Sequence, residues 1–109
     1  MTGRKERVAR NEATSREINE GIEEAHEGAP ADQYVRMVCE CGHESCDRLI
    51  AITAPEYERV RSDARQFAVV RDHVMADMER PVYETDRFVV VIKREGMPAR
   101  VASEEDPRS

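Results

Sequence analysis

Three cysteines lie within eight residues, Cys39, Cys41 and Cys46, in the pattern C-x-C-x4-C. Thiolates are preferred ligands of zinc, and Zn–S bonds of ~2.3 Å hold tetrahedral sulfurs about 3.8 Å apart. Three thiolates so close together repel one another unless a cation neutralises them. Three is also an odd number, which cannot be fully paired as disulfides within one chain. The spacing predicts a structural zinc site, the alternative being three buried, inert thiols.

The fourth ligand is open between His43 and His73. His43 would complete an all-local cage, but four ligands within eight residues strain the loop and connect the metal to nothing else. His73 follows an apolar run at 67–70, which we expect to pack beside the cysteines. Coordination by His73 would join two halves of a small domain, so His73 is the preferred ligand. His26 is expected to be a solvated residue near a helix C-terminus.

The cysteines must be positioned by a hairpin. Residues 34–39 and 48–52 are rich in β-branched and alternating apolar residues, and are predicted to be two strands joined by a short link. The cysteines then lie at the tip of this hairpin. Gly42, directly after the C-x-C pair, would supply the conformational freedom to curl the backbone around an ion.

The remaining pattern predicts an α+β fold. Thr53 and Glu56 form a capping box, which begins a central helix that runs to about residue 65. Residues 67–70 are predicted to be a short strand. Residues 81–84 and 87–93 are predicted to form a second, C-terminal hairpin, whose second strand is central because it is almost wholly apolar.

Length and patterning indicate one domain with polar flanks. The apolar residues are concentrated in a zinc-binding α+β domain at 34–94, which is small enough to need a metal as a staple. Residues 1–10 are predicted to be a disordered basic leader and 97–109 a disordered tail. A helix is predicted at 11–28, with Asn11 as its N-cap. Its apolar stripe, which includes Ile18 and Ile22, is narrow, so this helix could pack on the domain, pair with another chain or contact an unknown protein partner.

Composition excludes several functional classes. The net charge is −6, which argues against nucleic-acid binding except through the basic leader. No apolar run approaches the ~18 residues of a membrane span, and the N-terminal charges lack the apolar region of a secretory signal. A cytoplasmic location is expected, where thiols stay reduced.

Several motifs together resemble a family of small uncharacterised bacterial proteins, with an R-N-E helix and a V-C-E-C(x4)C zinc-knuckle-like motif. The likeness spans roughly residues 10–93. In that family a histidine recurs after the F-x-V run, which supports His73 as a ligand. Here Asp72 replaces a glycine of the family, and Thr14 and Ser15 stand at apolar positions. The motifs that carry the resemblance are Arg10-Asn11-Glu12, Arg16-Glu17-Ile18-Asn19, Val38-Cys39-Glu40-Cys41, Ile52-Thr53, Glu56-Tyr57-Glu58, and Phe67 with Val69.

The sequence predicts a binding protein and not an enzyme. A Cys3His set leaves zinc no open coordination position, and neither H-E-x-x-H nor the zinc deaminase pattern is present. The leading interpretation is a zinc-stabilised protein-interaction or regulatory module. One alternative is a thiol redox sensor, against which the acidic neighbours Glu40, Glu44 and Asp47 argue. A weak nucleic-acid binder is the other.

Overall fold

The computed structural model describes residues 3–108, and the chain is α+β as predicted. The helices and strands follow one another in the order α1 (Arg4–Ala25), β1 (Tyr34–Val38), β2 (Leu49–Thr53), α2 (Ala54–Val60), β3 (Gln66–Val69), a 3-10 turn (Arg71–His73), β4 (Glu79–Glu84), β5 (Val89–Lys93) and α3 (Met97–Glu104).

The first sheet is the predicted hairpin. β1 and β2 pair antiparallel, with Val35 opposite Ile52 and Met37 opposite Ile50. Because alternate residues of a strand face opposite sides, these four side chains all point inward and are buried. The loop between the strands is longer than predicted and holds the cysteines at its two ends.

The second sheet has the order β3-β5-β4, so β5 is central as predicted. Val89, Val90 and Val91 are buried, which matches a strand covered on both faces. β4 is the edge strand and contains Pro81, next to an irregularity in the pairing with β5. Proline is tolerated there because an edge strand leaves some N–H groups unpaired.

The capping box of α2 is confirmed. The Thr53 hydroxyl accepts from the Glu56 N–H at 3.2 Å, and the Glu56 carboxylate accepts from the Thr53 N–H at 2.9 Å. α2 ends at Val60, earlier than the predicted residue 65. The cause is local: the Asp63 carboxylate accepts from the Arg65 N–H, an alternative to a helical bond that turns the chain.

The prediction of a disordered leader at 1–10 is wrong for the residues described. α1 begins at Arg4, and Met1 and Thr2 lie outside the described residues. Residues 4–10 are mostly strong helix formers, and Val8 among them is buried, which holds the extension in place. Asn11 is therefore inside the helix and is not its N-cap.

The prediction of a disordered tail at 97–109 is also wrong, although Ser109 lies outside the described residues. α3 occupies Met97–Glu104, and Pro98 lies in its first turn, where a missing N–H costs no helical bond. Ala102 is buried, and α3 packs against α1. Beyond α3, Asp106 pairs with Arg61, so the tail is fastened to the end of α2.

The buried face of α1 is polar, which the sequence pattern did not indicate. Besides Val8, its buried residues are Glu12, Arg16 and Asn19, whereas Ile18 is 47% exposed. The surface beneath α1 presents backbone carbonyls and charged groups, so it requires polar partners. Of the predicted apolar stripe, Ile22 packs against the core and Ile18 is exposed, so the stripe marks only part of the buried face.

Arg16 shows how this polar face packs. Its guanidinium donates to the carbonyls of Ala64 and Gln66, both at 2.8 Å, and lies 3.8 Å above the centre of the Phe67 ring. These contacts join α1 to the start of β3. Within residues 3–108, no helix has the length and apolar character needed to cross a bilayer.

Candidate metal centre

The four residues predicted as metal ligands converge on one point. The sulfurs of Cys39, Cys41 and Cys46 and the Nδ1 atom of His73 all lie within 4.8 Å of one another. The distances from Nδ1 to the three sulfurs are 3.9, 3.4 and 3.3 Å, respectively. A tetrahedral ion with zinc-like bond lengths places sulfur and nitrogen ligands about 3.6 Å apart. The arrangement can therefore hold a metal ion.

Two segments supply these side chains. The hairpin is extended past β1 by the bond from the Cys39 N–H to the Arg48 carbonyl, at 3.0 Å. The Glu40 N–H then donates to the Ala68 carbonyl at 2.8 Å, which attaches the cysteine loop to β3. Because the 3-10 turn follows β3 directly, this attachment brings His73 to the sulfurs.

Backbone N–H groups surround the sulfurs. The Val70 N–H donates to the Cys39 sulfur at 3.2 Å. In addition, each cysteine sulfur accepts from the backbone N–H two residues later, and each of these bonds favours the thiolate. The pairs are Cys39 with Cys41, Cys41 with His43, and Cys46 with Arg48. Such bonds stabilise thiolates, so the loop is already arranged for negatively charged sulfur.

Hydrogen bonds and burial move the pKa values of the three thiols in different directions. A hydrogen bond from Cys41 lowers the pKa of Cys39, helped by the backbone N–H groups. The pKa of Cys41 is raised, because its proton is held by Cys39 and because the thiol is buried. Burial also raises the pKa of Cys46. A cation at the centre would replace these shared protons.

The structure brings His73, and not His43, to the sulfurs. His43 is exposed, and its ring centre lies 4.8 Å from that of His73, at an angle of 52°. His26 is exposed at the end of α1, with Nδ1 2.8 Å from the Ile22 carbonyl oxygen. Of the two alternatives for the fourth ligand, the geometry favours the one from the more distant segment.

Glu40 is a residue whose role the sequence analysis missed. It lies between two cysteines, but its side chain points away from the sulfurs and is fully buried. Its carboxylate accepts from the Tyr57 hydroxyl at 2.8 Å, the Asn19 amide at 3.0 Å and the Ala68 N–H at 3.0 Å. The alternation of an extended chain was the available signal, since residues 39 and 41 share one face and 40 takes the other.

α1 holds the cysteine loop from the other side. The Asn19 side chain bonds both backbone groups of Val38, accepting from its N–H at 2.8 Å and donating to its carbonyl at 2.9 Å. Asn11 donates to the Gly42 carbonyl at 3.0 Å. Asn19 thus completes the hydrogen bonds of Val38 on the edge of β1 that is not paired with β2, and Asn11 does the same for a carbonyl of the cysteine loop.

Gly42 is required for a reason different from the predicted one. Of the glycines described, only Gly28 and Gly96 have positive φ, so Gly42 does not need a left-handed conformation. A Cβ atom on Gly42 would instead lie 2.2 Å from a methyl carbon of Val8. The missing side chain allows α1 to approach the metal loop.

The donor set points to a structural ion. Three sulfurs and one imidazole nitrogen fill a tetrahedron, which leaves no open position for substrate or water. Cys39 and Cys41 are buried, so access to the centre is restricted further. Comparisons of the chain with protein-family models, with curated proteins and with solved structures gave no match.

Proposed function

We propose that this chain is a small zinc-binding protein whose metal is structural, and that the folded domain acts as a protein-interaction or regulatory module. The observation that carries the proposal is the convergence of three sulfurs and the His73 Nδ1 atom within 4.8 Å. Zinc is favoured because soft thiolates combined with imidazole in a tetrahedral set suit it better than magnesium or calcium, which take oxygen ligands.

The placement of the ligands supports a structural role. Three come from the loop of the first sheet, and His73 comes from the segment that leaves the second sheet. A metal held by all four would link the two sheets at the edge of the apolar core that they share. Small domains gain much of their folding free energy from such a link.

Metal analysis of the purified protein tests this part of the proposal. We expect one zinc per chain, and we expect Cys41→Ser to lose most of the metal. Ser45→Ala is the matched control, since Ser45 is exposed in the same loop. Stoichiometric zinc that resists a chelator equally well in Cys41→Ser and in the wild type would refute the assignment.

The exposed face of α1 supports the interaction role. Within the region 11–28, this face and the neighbouring part of α2 form an open acidic groove. The groove already accepts a cation of the chain itself, since the Arg108 guanidinium lies 2.8 Å from Glu20 and 3.1 Å from Glu23. We infer a partner that presents basic side chains. The glutamates of the groove are Glu17, Glu20, Glu23, Glu24, Glu27 and Glu58.

A charge reversal on this face tests the interaction role. The variant Glu17→Lys with Glu24→Lys changes exposed residues and is expected to keep its zinc. We expect it to lose proteins that the wild type captures, whereas Glu44→Lys, on the exposed part of the cysteine loop, should keep them. Equal capture by all three proteins would exclude this face as the interaction site while leaving the metal assignment intact.

A further inference from the structure

Beneath the N-terminal half of α1, three buried charges alternate in sign. The Lys93 ammonium donates to the carboxylates of Glu79 and Glu12, and all three side chains are at most 5% exposed. Glu79 is satisfied at both oxygens, because its second oxygen accepts from the Met75 N–H at 3.0 Å. Glu79, at one end of the series, therefore has a protein donor at each of its carboxylate oxygens.

Glu12, at the other end of the series, has a donor from the described part of the chain at only one of its two carboxylate oxygens. Among the residues described, its carboxylate accepts a hydrogen bond from Lys93 alone. Burial raises the pKa of Glu12 to about 7, against the lowering effect of Lys93 and Arg16. Arg16 does not donate to it, since the two terminal nitrogens of that guanidinium donate to the carbonyls of Ala64, Gln66 and Ala102. Two carboxylates thus share one ammonium.

Glu12 and Lys93 line a cleft of about 210 Å³ between α1 and α3, independent of the metal centre. The walls of the cleft are mainly apolar and include Met78, Met97 and Val101. Four exposed charges stand around it, two of each sign: Lys5, Arg10, Glu6 and Glu105. These four charges cancel, so the carboxylate oxygen of Glu12 that has no donor among the described residues is the group that selects the charge of a ligand.

We propose that this cleft binds a small primary amine with an apolar body, whose ammonium group donates to the free carboxylate oxygen of Glu12. The positive charge of the amine balances the second of the two carboxylates, Glu12 and Glu79, that share the Lys93 ammonium. The apolar body contacts Met78, Met97 and Val101. The cleft volume of about 210 Å³ limits the ligand to a small molecule.

Hexylamine is the probe that tests the proposal, with 1-hexanol and hexanoate as controls for the apolar body and for the opposite charge. Binding to the full zinc-loaded chain at pH 8 is followed by NMR chemical shifts. We expect hexylamine to bind at least tenfold more tightly than either control and to shift the signals of Val101 and Met78. Tighter binding of hexanoate, or no hexylamine-dependent shift at these residues, would overturn the proposal.

Two variants locate the site. Glu12→Gln is expected to weaken the binding of hexylamine at least tenfold, whereas Glu104→Gln, an exposed carboxylate of α3 outside the cleft, should leave it unchanged. Because Glu12→Gln can disturb folding, zinc content is measured in parallel, and Val101→Phe provides a second route by filling the cleft without touching Glu12. Val101→Phe should abolish binding. Hexylamine bound as tightly by Val101→Phe as by the wild type would refute the site.

Discussion

His73 is the histidine of the metal centre because the fold places its ring beside the sulfurs, although His43 is closer to the cysteines in the sequence. His73 Nδ1 lies between 3.3 and 3.9 Å from each sulfur, whereas the exposed His43 only contacts the His73 ring. The sequence identified all four residues that converge, because cysteine spacing is a chemical signal that survives any fold. It preferred His73 but left His43 open, because that choice depends on how β3 attaches to the cysteine loop.

His73→Ala and His43→Ala separate the two histidines. We expect His73→Ala to lower the affinity for zinc by about 100-fold or more. The loss of a ligand costs more affinity than the loss of a residue that only contacts a ligand. His43→Ala should change the affinity by less than about threefold. Competition with a colorimetric chelator measures both. A larger loss in His43→Ala than in His73→Ala would reverse the assignment.

Glu40 provides a second test at the scale of one residue. Three donors converge on its buried carboxylate, from Tyr57, Asn19 and Ala68. Glu40→Gln replaces one acceptor oxygen by a donor, so we expect it to lower the free energy of unfolding by about 2–3 kcal/mol. Tyr57→Phe, which removes one donor, should cost about 1 kcal/mol.

Denaturant unfolding of the zinc-loaded proteins measures these effects. Glu44→Gln is the matched control, because Glu44 is an exposed carboxylate of the same loop, and it should stay within about 0.5 kcal/mol of the wild type. If Glu40→Gln unfolded at the same denaturant concentration as Glu44→Gln, the buried carboxylate would not have the structural role assigned to it.

Among the elements, α3 was not predicted at all, and the polar buried face of α1 had no local signal. Strands and the capping box follow from local patterns, and these were confirmed. Apolar periodicity, however, finds a buried helix face only where the surface beneath it is apolar. Glu12, Arg16 and Asn19 instead meet an ammonium, carbonyl groups and the end of β1. Those partners exist only once distant segments have assembled, so no local pattern could indicate them.

The packing of α1 on the cysteine loop depends on Gly42. Gly42→Ala places a Cβ atom 2.2 Å from the Val8 methyl and 3.0 Å from the Val8 Cα atom, so α1 must shift. We expect a loss of about 1–3 kcal/mol in the free energy of unfolding, typical of overpacking. Denaturant unfolding followed by circular dichroism measures it.

Gly21→Ala is the matched control for this variant. Gly21 is an exposed position inside α1 with no atom within 4 Å of an added Cβ, so alanine should stabilise the protein by about 0.5–1 kcal/mol. Adding Val8→Ala to Gly42→Ala should recover part of the loss, since it removes the closest methyl. An unchanged stability of Gly42→Ala would mean that α1 does not approach the loop as described.

At the scale of the whole molecule, the flanks belong to the fold. α1 and α3 pack on each other and enclose the buried charges of Glu12 and Lys93. The prediction of a folded core with disordered ends rested on the positions of the apolar residues. It was wrong because polar contacts hold much of both flanks. The ion pair between Asp106 and Arg61 is such a contact.

The buried Glu12 carboxyl makes stability depend on pH. Its pKa is about 7 in the folded protein and roughly 4.3 in an unfolded chain. The folded state therefore binds more protons between these values, and its stability falls as pH rises through 7. Between pH 5.5 and 8 we expect the wild type to lose roughly 1–2 kcal/mol relative to Glu12→Gln.

Denaturant unfolding of the two zinc-saturated proteins at both pH values measures this difference. Comparing the two proteins at each pH cancels the effect of pH on the metal centre, which both share. A wild type that gained stability relative to Glu12→Gln on going to pH 8 would show that the carboxylate is favoured in its ionised form.

The polar buried face of α1 also bears on how the chain folds during synthesis. α1 precedes all of its partners in the chain, including Gln66, Lys93 and Ala102. Its contacts with β1 and the cysteine loop can form early, but its buried face is covered completely only when nearly all of the described chain has been synthesised. An apolar face exposed for that time would favour aggregation. A face built from Glu12, Arg16 and Asn19 stays hydrated instead. The helix therefore remains compatible with water until the segments that cover this face have been synthesised.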